Sequence, residues 1–377
     1  MGKFEGLHAN VRLFLGMCVL LAAGARTVEA QTAASKPATA QGATAQTAAS
    51  KPAAAQGPTA PNAPNLSLAE LFRSAAAANQ SQATYAADLE LAELRRNKAD
   101  IEAKTDSDRL NAESTYLSAL AEYRRANLAY FNEVVDTLFA AATAELDKEI
   151  SSLRAQTAQE DRKLAQSKYS QGMISEEGLQ ESELALRSAN TDQDLSHWNN
   201  EDAREAVQRS VGMEWNARLL PNAPAFKVDG TKADWIESDT TVRRTRTALK
   251  ISTLKLALLP TNSAGFDRRI QEAEVAKAKI AAQKAESDAG RAYDGILRRL
   301  ENQRAVLQIR QEEIRLKSIA LAETLLRYGR GLLSANERNT QRISEMTTRK
   351  NLLLAQRSYL KTMGEVRSAL GADPLGW

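Results

Sequence analysis

The sequence predicts an all-α fold of long antiparallel coiled-coil hairpins in tandem duplication. Proline is absent from positions 65–220 and 261–373, and both stretches are rich in residues that favour uninterrupted helix. Aromatic residues form only 5% of the chain and charged residues 26%, a balance typical of long helices packed along narrow seams. Landmarks of the first stretch return in the second at a constant distance, which predicts that one unit occurs twice.

A short interruption of the helical pattern occurs at 169–175 (YSQGMIS) and again at 328–334 (YGRGLLS). Gly172 and Gly331 can adopt the left-handed conformation that closes a helix. The serine three residues later can cap the next helix through its hydroxyl oxygen. Each interruption is therefore predicted to be the tight tip of an antiparallel helical hairpin.

The distances between such landmarks predict the duplication. Gly172 and Gly331 are 159 positions apart, and so are Gly212 and Gly371, which follow the two returning helices. One offset therefore relates two independent pairs of helix ends. The predicted organisation is helical repeat 1 at 65–214, an inter-repeat linker at 215–232 and helical repeat 2 at 233–377.

The segment 1–30 is predicted to be a secretory signal peptide. Lys3 and Arg12 give it a positive start, 13–23 is an apolar run, and 28–30 (VEA) is a small-residue cleavage site. The apolar run is too short for a helix that spans a bilayer.

A lipoprotein is the second interpretation of this segment, because Leu15 lies three positions before Cys18, the only cysteine of the chain. Met17 is large where a small residue is expected, which favours simple cleavage over lipidation. After cleavage the mature chain has no cysteine, so it cannot form a disulfide or a thiolate metal site.

The segment 31–64 is predicted to be a disordered tether. Its Ala, Thr, Gln and Pro residues show no apolar period, and the heptapeptide QTAASKP occurs at 31–37 and again at 46–52. Such a composition does not form a packed core, so a spacer without a binding role is expected.

Repeat 1 is predicted to hold three helices. The first opens at the capping box 67–70 (SLAE) and runs toward Lys104. A long helix re-initiates at 105–108 (TDSD) and ends near Tyr169, which makes it on the order of 90 Å long. The returning helix is predicted over 175–211.

Repeat 2 is predicted to follow the same plan after an irregular segment with two prolines at 213–235. A helix runs to about Leu259, the turn 260–265 follows, and a second long helix reaches the second tip. Six apolar residues of that helix lie at seven-residue steps, which predicts coiled-coil packing: Tyr293, Leu300, Leu307, Ile314, Leu321 and Tyr328. The final helix carries apolar residues at three-four spacing: Tyr359, Met363, Val366 and Leu370.

Helices of this length cannot bury their apolar stripes inside a compact domain. Four such rods per chain, in two hairpins, must pack side by side, and we expect this packing to extend across subunits.

Composition and motifs exclude several classes of function. The 50 basic and 47 acidic residues give a net charge of +3, which offers no electrostatic basis for nucleic-acid binding. His197 is the one histidine left after cleavage, so neither a metal site nor a His-dependent catalytic set is expected. The segment 329–331 (GRG) lacks the Lys-Ser/Thr of a phosphate loop. We therefore expect no enzyme and no cofactor.

The ordered, duplicated set of motifs resembles the TolC-like outer-membrane efflux factors over about 66–374. The motifs that carry the resemblance are the opening LSLAEL at 66–71 with Asn79 and Gln80, the pairs Ala129-Tyr130 and Ala292-Tyr293, the two tips, and the closing Gly212 and Gly371.

The resemblance implies two helical hairpins per protomer in a homotrimeric α-barrel that crosses the periplasm. It implies export to the periplasm or outer membrane of a diderm bacterium, and tips that meet the membrane-fusion adaptor of an efflux pump or type I secretion system. The implied adaptor contacts are Gly172, Met173, Ile174, Ser175, Gly331, Leu332, Leu333 and Ser334. Tyr328 is implied to lie at the periplasmic constriction.

The chain departs from the family pattern at two places. The family inserts a β-hairpin near 102–108 and near 260–266, where this chain has turns too short for a spanning strand of about 9 to 11 residues. The resemblance therefore covers the helical part without the β-barrel insertions, and outer-membrane association stays open. The constriction also lacks its expected charges, because Leu333 and Thr340 are uncharged.

Two functions follow from these expectations. One is a helical periplasmic conduit that docks to an adaptor, supported by the paired tips. The alternative is a non-conducting periplasmic coiled-coil scaffold or spacer derived from the same family, supported by the missing insertions. An adaptor-like protein is disfavoured, because it would have one hairpin flanked by β domains.

Overall fold

A computed structural model describes residues 70–72, 75–76, 79–221, 226–228, 230–261 and 263–374. The predicted signal peptide, the predicted tether and Ser67 of the first capping box lie outside the described residues. Residues 70–72 and 75–76 are helical.

Seven α-helices and one short 3₁₀ helix follow in the described part of the chain, which contains no β-strand. This confirms the all-α prediction with long antiparallel hairpins. The α-helices are α1 (Gln80–Glu102), α2 (Asp106–Ser170), α3 (Glu176–Val211), α4 (Lys232–Ser238), α5 (Thr240–Ala257), α6 (Gly265–Gly329) and α7 (Ala335–Ala369), and the 3₁₀ helix is Ala217–Leu219.

The two repeats match in the lengths of their main helices. The long helices α2 and α6 each have 65 residues, about 100 Å at 1.5 Å per residue. The returning helices α3 and α7 have 36 and 35 residues. The predicted re-initiation before α2 is confirmed, because the Thr105 hydroxyl accepts a hydrogen bond from the Asp108 amide at 3.2 Å.

The helix expected to follow the linker is divided into α4 and α5. Asp239 lies between them in an extended conformation, and its carboxylate caps α5 by accepting the Val242 amide at 2.8 Å. An aspartate that can satisfy a free amide at a helix start favours such a break. The end of α5 at Ala257 lies close to the predicted end at Leu259.

The helices form one lateral layer. The long helices α2 and α6 run its whole length, α5 and α7 lie between them one after the other, and α1 and α3 pack along the other side of α2. The edges of the layer are therefore α1 and α3 on one side and α6 on the other. The short α4 packs on α5 and α6.

The main core lies at mid-length, where the helices of both repeats meet. Phe72 stacks on Phe131 with ring centroids 4.8 Å apart, and the Tyr130 hydroxyl donates to the Ser210 carbonyl at 3.1 Å. Apart from Phe72, the largest fully buried side chains of this core come mainly from α2 and α7 and include Tyr130, Phe131, Leu138, Phe139, Tyr359, Leu360 and Met363.

Polar contacts hold α7 in register on α2, and so hold one hairpin on the other. Asp136 accepts hydrogen bonds from Arg357 at 2.7 Å and from Lys361 at 2.8 Å. Burial opposes ionisation of Asp136, but these two hydrogen bonds outweigh it and lower the pKa of its carboxyl group. Further along the same pair of helices, Lys350 lies 2.6 Å from Asp147.

The heptad residues of α6 line its inner face, as the seven-residue step predicts. Leu300 and Leu307 are buried, and the other four residues of the series are half-buried. The seam of α6 therefore packs on the helices inside the layer.

We expect Gly364→Ala to destabilise the fold by about 1 to 3 kcal/mol, because a Cβ at position 364 overlaps the Phe131 ring at the crossing of α2 and α7. Gly295→Ala is the matched control, since it lies in α6 with open space around it, and it should stabilise by about 0.5 to 1 kcal/mol. Urea unfolding followed by circular dichroism measures both, and equal effects would contradict the close crossing.

Candidate functional site

The two predicted tips have the same backbone geometry. Gly172 and Gly331 have φ values of 68° and 71°. In each tip the glycine amide donates to the tyrosine carbonyl three residues earlier at 2.9 Å. The following amide donates to the carbonyl five residues earlier, at 2.8 Å in the first tip and 3.0 Å in the second. Both tips are therefore Schellman motifs, as the glycine positions predict.

The other predicted pair of glycines behaves in the same way. Gly212 and Gly371 have φ values of 74° and 82°. Together with the tip glycines they are all the glycines with positive φ in the described part of the chain. The landmarks that revealed the duplication are thus the positions where the backbone needs glycine.

Both predicted serine caps are confirmed. The Ser175 hydroxyl accepts the Gly178 amide at 3.3 Å, and the Ser334 hydroxyl accepts the Glu337 amide at 3.2 Å. The Glu337 carboxylate returns the contact by accepting the Ser334 amide at 2.7 Å. The hydrogen bond from the Ser334 amide, and to a lesser extent the one from its hydroxyl, lower the pKa of the Glu337 carboxyl group. The carboxylate of Glu337 is therefore part of the helix cap.

Each tip exposes one of its two apolar side chains. Met173 is 69% exposed and Leu332 is 67% exposed. The second member of each pair, Ile174 or Leu333, is half-buried. Ile174 lies over the first turn of α3, where its Cβ and Cδ1 are 3.8 Å from an ideal Cβ at Gly178. Ile174 therefore packs on its own hairpin, whereas Met173 and Leu332 project into solvent.

Tyr328 precedes the second tip and is half-buried. The Arg338 guanidinium lies 4.5 Å from the centre of its ring, a cation–π contact. In the first tip the equivalent tyrosine, Tyr169, is 39% exposed, and the position that corresponds to Arg338 is Leu179. The tips therefore share a backbone but differ in the side chains around the tyrosine.

Polar residues that the sequence reasoning missed fasten the second tip to α2. Asn336 donates to Asp161 at 2.5 Å, and Asn339 donates to Thr157 at 3.4 Å. Asn339 is only 2% exposed and also accepts from Arg338 at 2.9 Å. The only signal in the sequence is two asparagines three positions apart on one helix face, and nothing local identifies their partners on α2.

The described ranges contain neither a metal-binding cluster nor a membrane-spanning helix. No group of three or more His, Cys, Asp or Glu side chains is placed to hold a metal ion among these residues. None of the described helices combines the length and the apolar character required to cross a membrane.

The fold is that of known outer-membrane channel proteins. The structure of a membrane protein from Pseudomonas aeruginosa matches with a TM-score of 0.52 and 14% identity, over 82% of this chain and 91% of that one. The outer-membrane channel OprN matches with a TM-score of 0.51 and 15% identity, over 82% of this chain and 90% of that one. No family model and no curated protein matches the sequence. The resemblance to TolC-like proteins is thus confirmed at the level of the fold.

We expect Gly331→Ala to destabilise the second tip by about 1 kcal/mol, because alanine is strained at this positive φ. Gly329→Ala is the control, since Gly329 is the last residue of α6 and has open space around it. Hydrogen exchange of the tip amides measures the local stability. Faster exchange in both variants would show that the left-handed glycine does not determine the stability of the tip.

Proposed function

We propose that this chain is the TolC-like component of an efflux or type I secretion system. In this role it forms a helical periplasmic conduit whose hairpin tips dock to a membrane-fusion adaptor. The observation that carries the proposal is the pair of equivalent tips, each with one exposed apolar side chain at the end of a helix about 100 Å long. The likeness of the fold to an outer-membrane channel supports it.

The tips have the chemistry of a protein docking surface. Met173 and Leu332 are exposed apolar side chains on turns closed by backbone hydrogen bonds, and burial of each in a pocket of a partner would remove apolar surface from water. The neighbouring Lys168 and Arg330 form no ion pair with another described residue. A partner with small apolar pockets and acidic groups beside them fits this surface. The proposed contact set is Gly172, Met173, Ile174, Ser175, Gly331, Leu332, Leu333 and Ser334.

A conduit requires the layer to close on itself, and the two edges of the layer support closure. The outer face of α6, roughly opposite its seam, carries exposed apolar residues at spacings of seven, three and seven: Ile309, Leu316, Ile319 and Leu326. The edge helix α3 carries a second exposed set: Leu184, Leu195 and Trp198. Two different apolar edges suit head-to-tail contact between copies, which generates a ring. We propose that this ring is a homotrimer.

We further propose that Tyr328 contributes to a constriction at the tip end of the conduit. Its cation–π contact with Arg338 and the anchoring of Asn339 on α2 restrain the side chains at this point. The alternative function, a non-conducting periplasmic scaffold, would use the same edges and tips without enclosing a channel.

If the tips dock to an adaptor, a charge introduced at the tips should reduce transport, whereas the same charge elsewhere on the chain should not. The double variant Met173→Glu/Leu332→Glu should reduce efflux or secretion by at least about tenfold, because two apolar contacts are replaced by desolvated carboxylates. Leu354→Glu is the control, since it is exposed on α7 away from the tips and edges. Photo-cross-linking from positions 173 and 332 in cells should yield adducts with a membrane-fusion adaptor. Normal transport in the double variant would reject tip docking.

Ring closure predicts that Leu316→Glu/Ile319→Glu converts an oligomer into monomers, because it places carboxylates in the contact formed by the outer face of α6. Leu354→Glu should leave the oligomer intact. Size-exclusion chromatography with light scattering gives the mass, and negative-stain imaging shows the shape. A hollow cylinder supports the conduit, whereas a solid rod supports the scaffold and a monomeric wild-type chain contradicts both.

A further inference from the structure

The end of the layer opposite the tips carries the two most exposed large apolar side chains among the described residues, together with two more that are over half exposed. Ile101, at the end of α1, is 84% exposed, and Phe266, in the first turn of α6, is 79% exposed. Leu258, just after α5, is 67% exposed, and Ile270 is 55% exposed. All four lie beside the turns that follow α1 and α5, which we call the turn end.

The two turns lie next to each other. The start of α2 and the last turns of α5 form the walls of an open groove of about 690 Å³. Leu110 lines it from α2, and Leu249, Leu254 and Ala257 line it from α5. An ion pair between Asp106 and Arg109 also lines the groove on the α2 side. The turn end therefore combines protruding apolar side chains with an apolar groove between them.

Lysines without a described ion-pair partner accompany this apolar surface. Helix α5 contains five Arg and Lys residues and no Asp or Glu. Glutamates on neighbouring helices pair with Arg243 and Arg246. The described residues supply no ion-pair partner for Lys250 and Lys255 near the groove, or for Lys104 in the turn after α1. All three lysines are exposed.

We propose that the turn end docks on the surface of a phospholipid bilayer. Phe266, Ile101 and Leu258 enter the boundary between headgroups and acyl chains, Lys104, Lys250 and Lys255 bind lipid phosphates, and the groove accepts an acyl chain. Apolar side chains with adjacent unpaired lysines are the combination that binds at lipid interfaces. The inference is independent of the proposed conduit, because a scaffold with this end would bind lipid equally.

The charges also favour lipid over a second copy of the chain. End-to-end contact of two copies through this surface would oppose one set of lysines to another, which is repulsive. A lipid surface instead offers a phosphate for each lysine.

Flotation with vesicles of phosphatidylethanolamine and phosphatidylglycerol tests the proposal with the full chain. Ile101→Glu/Phe266→Glu should lower the partition coefficient by at least about tenfold, because binding scales with the apolar surface that enters the interface. Tyr85→Glu/Leu354→Glu is the matched control, since it introduces the same charge at two exposed sites away from the turn end. Lys250→Gln/Lys255→Gln should weaken binding by about fivefold per lysine on these vesicles. It should have less effect on phosphatidylcholine vesicles.

A fluorescent probe locates the contact and separates it from any contribution of the N-terminal segment. An environment-sensitive dye is attached to a single cysteine at position 266 or 173 in a Cys18→Ser background. Vesicles should shift the emission to the blue at position 266 and leave it unchanged at position 173.

Several results would overturn the proposal: no flotation of the wild-type chain, equal loss in the matched control, or equal shifts at both positions. A lipid-free dimer that is abolished by Ile101→Glu/Phe266→Glu would assign the turn end to a second copy instead.

Discussion

The length of the two main helices is the constraint on which the rest of the structure depends. At 65 residues each, α2 and α6 extend far beyond any single core, so most of their apolar surface must be covered from the side. The chain covers the inner faces with α5 and α7 and leaves the outer face of α6 without a partner. Both edges of the layer therefore keep exposed apolar residues. A layer of helices that had no further partner would be expected to have polar edges.

Long helices also need an exact register, and the structure sets it at the tip end and in the middle. The Schellman turns at Gly172 and Gly331 end α2 and α6 after the same number of residues. In the middle, Asp136 binds two cations of α7 and so prevents α7 from sliding along α2. Near the tip, Asn336 and Asn339 repeat this fastening with neutral groups. Polar groups thus specify an alignment that an apolar seam with a regular repeat leaves ambiguous.

Local rules predicted the parts of the fold that depend on local chemistry. Glycine at positive φ, the serine caps of the two tips and a seven-residue seam are each determined within a few residues, and these features appear where the sequence places them. The order of helices across the layer depends on contacts between residues more than a hundred positions apart, such as Asp136 with Arg357. No periodicity identifies such partners. The same limit explains why the contact between Tyr328 and Arg338 was not predicted, since it depends on how the hairpin folds back on itself.

Three kinds of uncovered apolar surface remain, and their geometry distinguishes the partners that suit them. On α6 the exposed residues follow helical spacing along a face, which suits another helix packed alongside. At the tips, Met173 and Leu332 are single side chains on rigid turns, which suit small pockets in a folded protein. At the turn end, Phe266 and Ile101 surround a groove beside unpaired lysines, a combination that suits a fluid surface with phosphates. Together, the proposed docking of the tips to a protein and the proposed docking of the turn end to lipid describe a component that stands between a membrane surface and a protein partner.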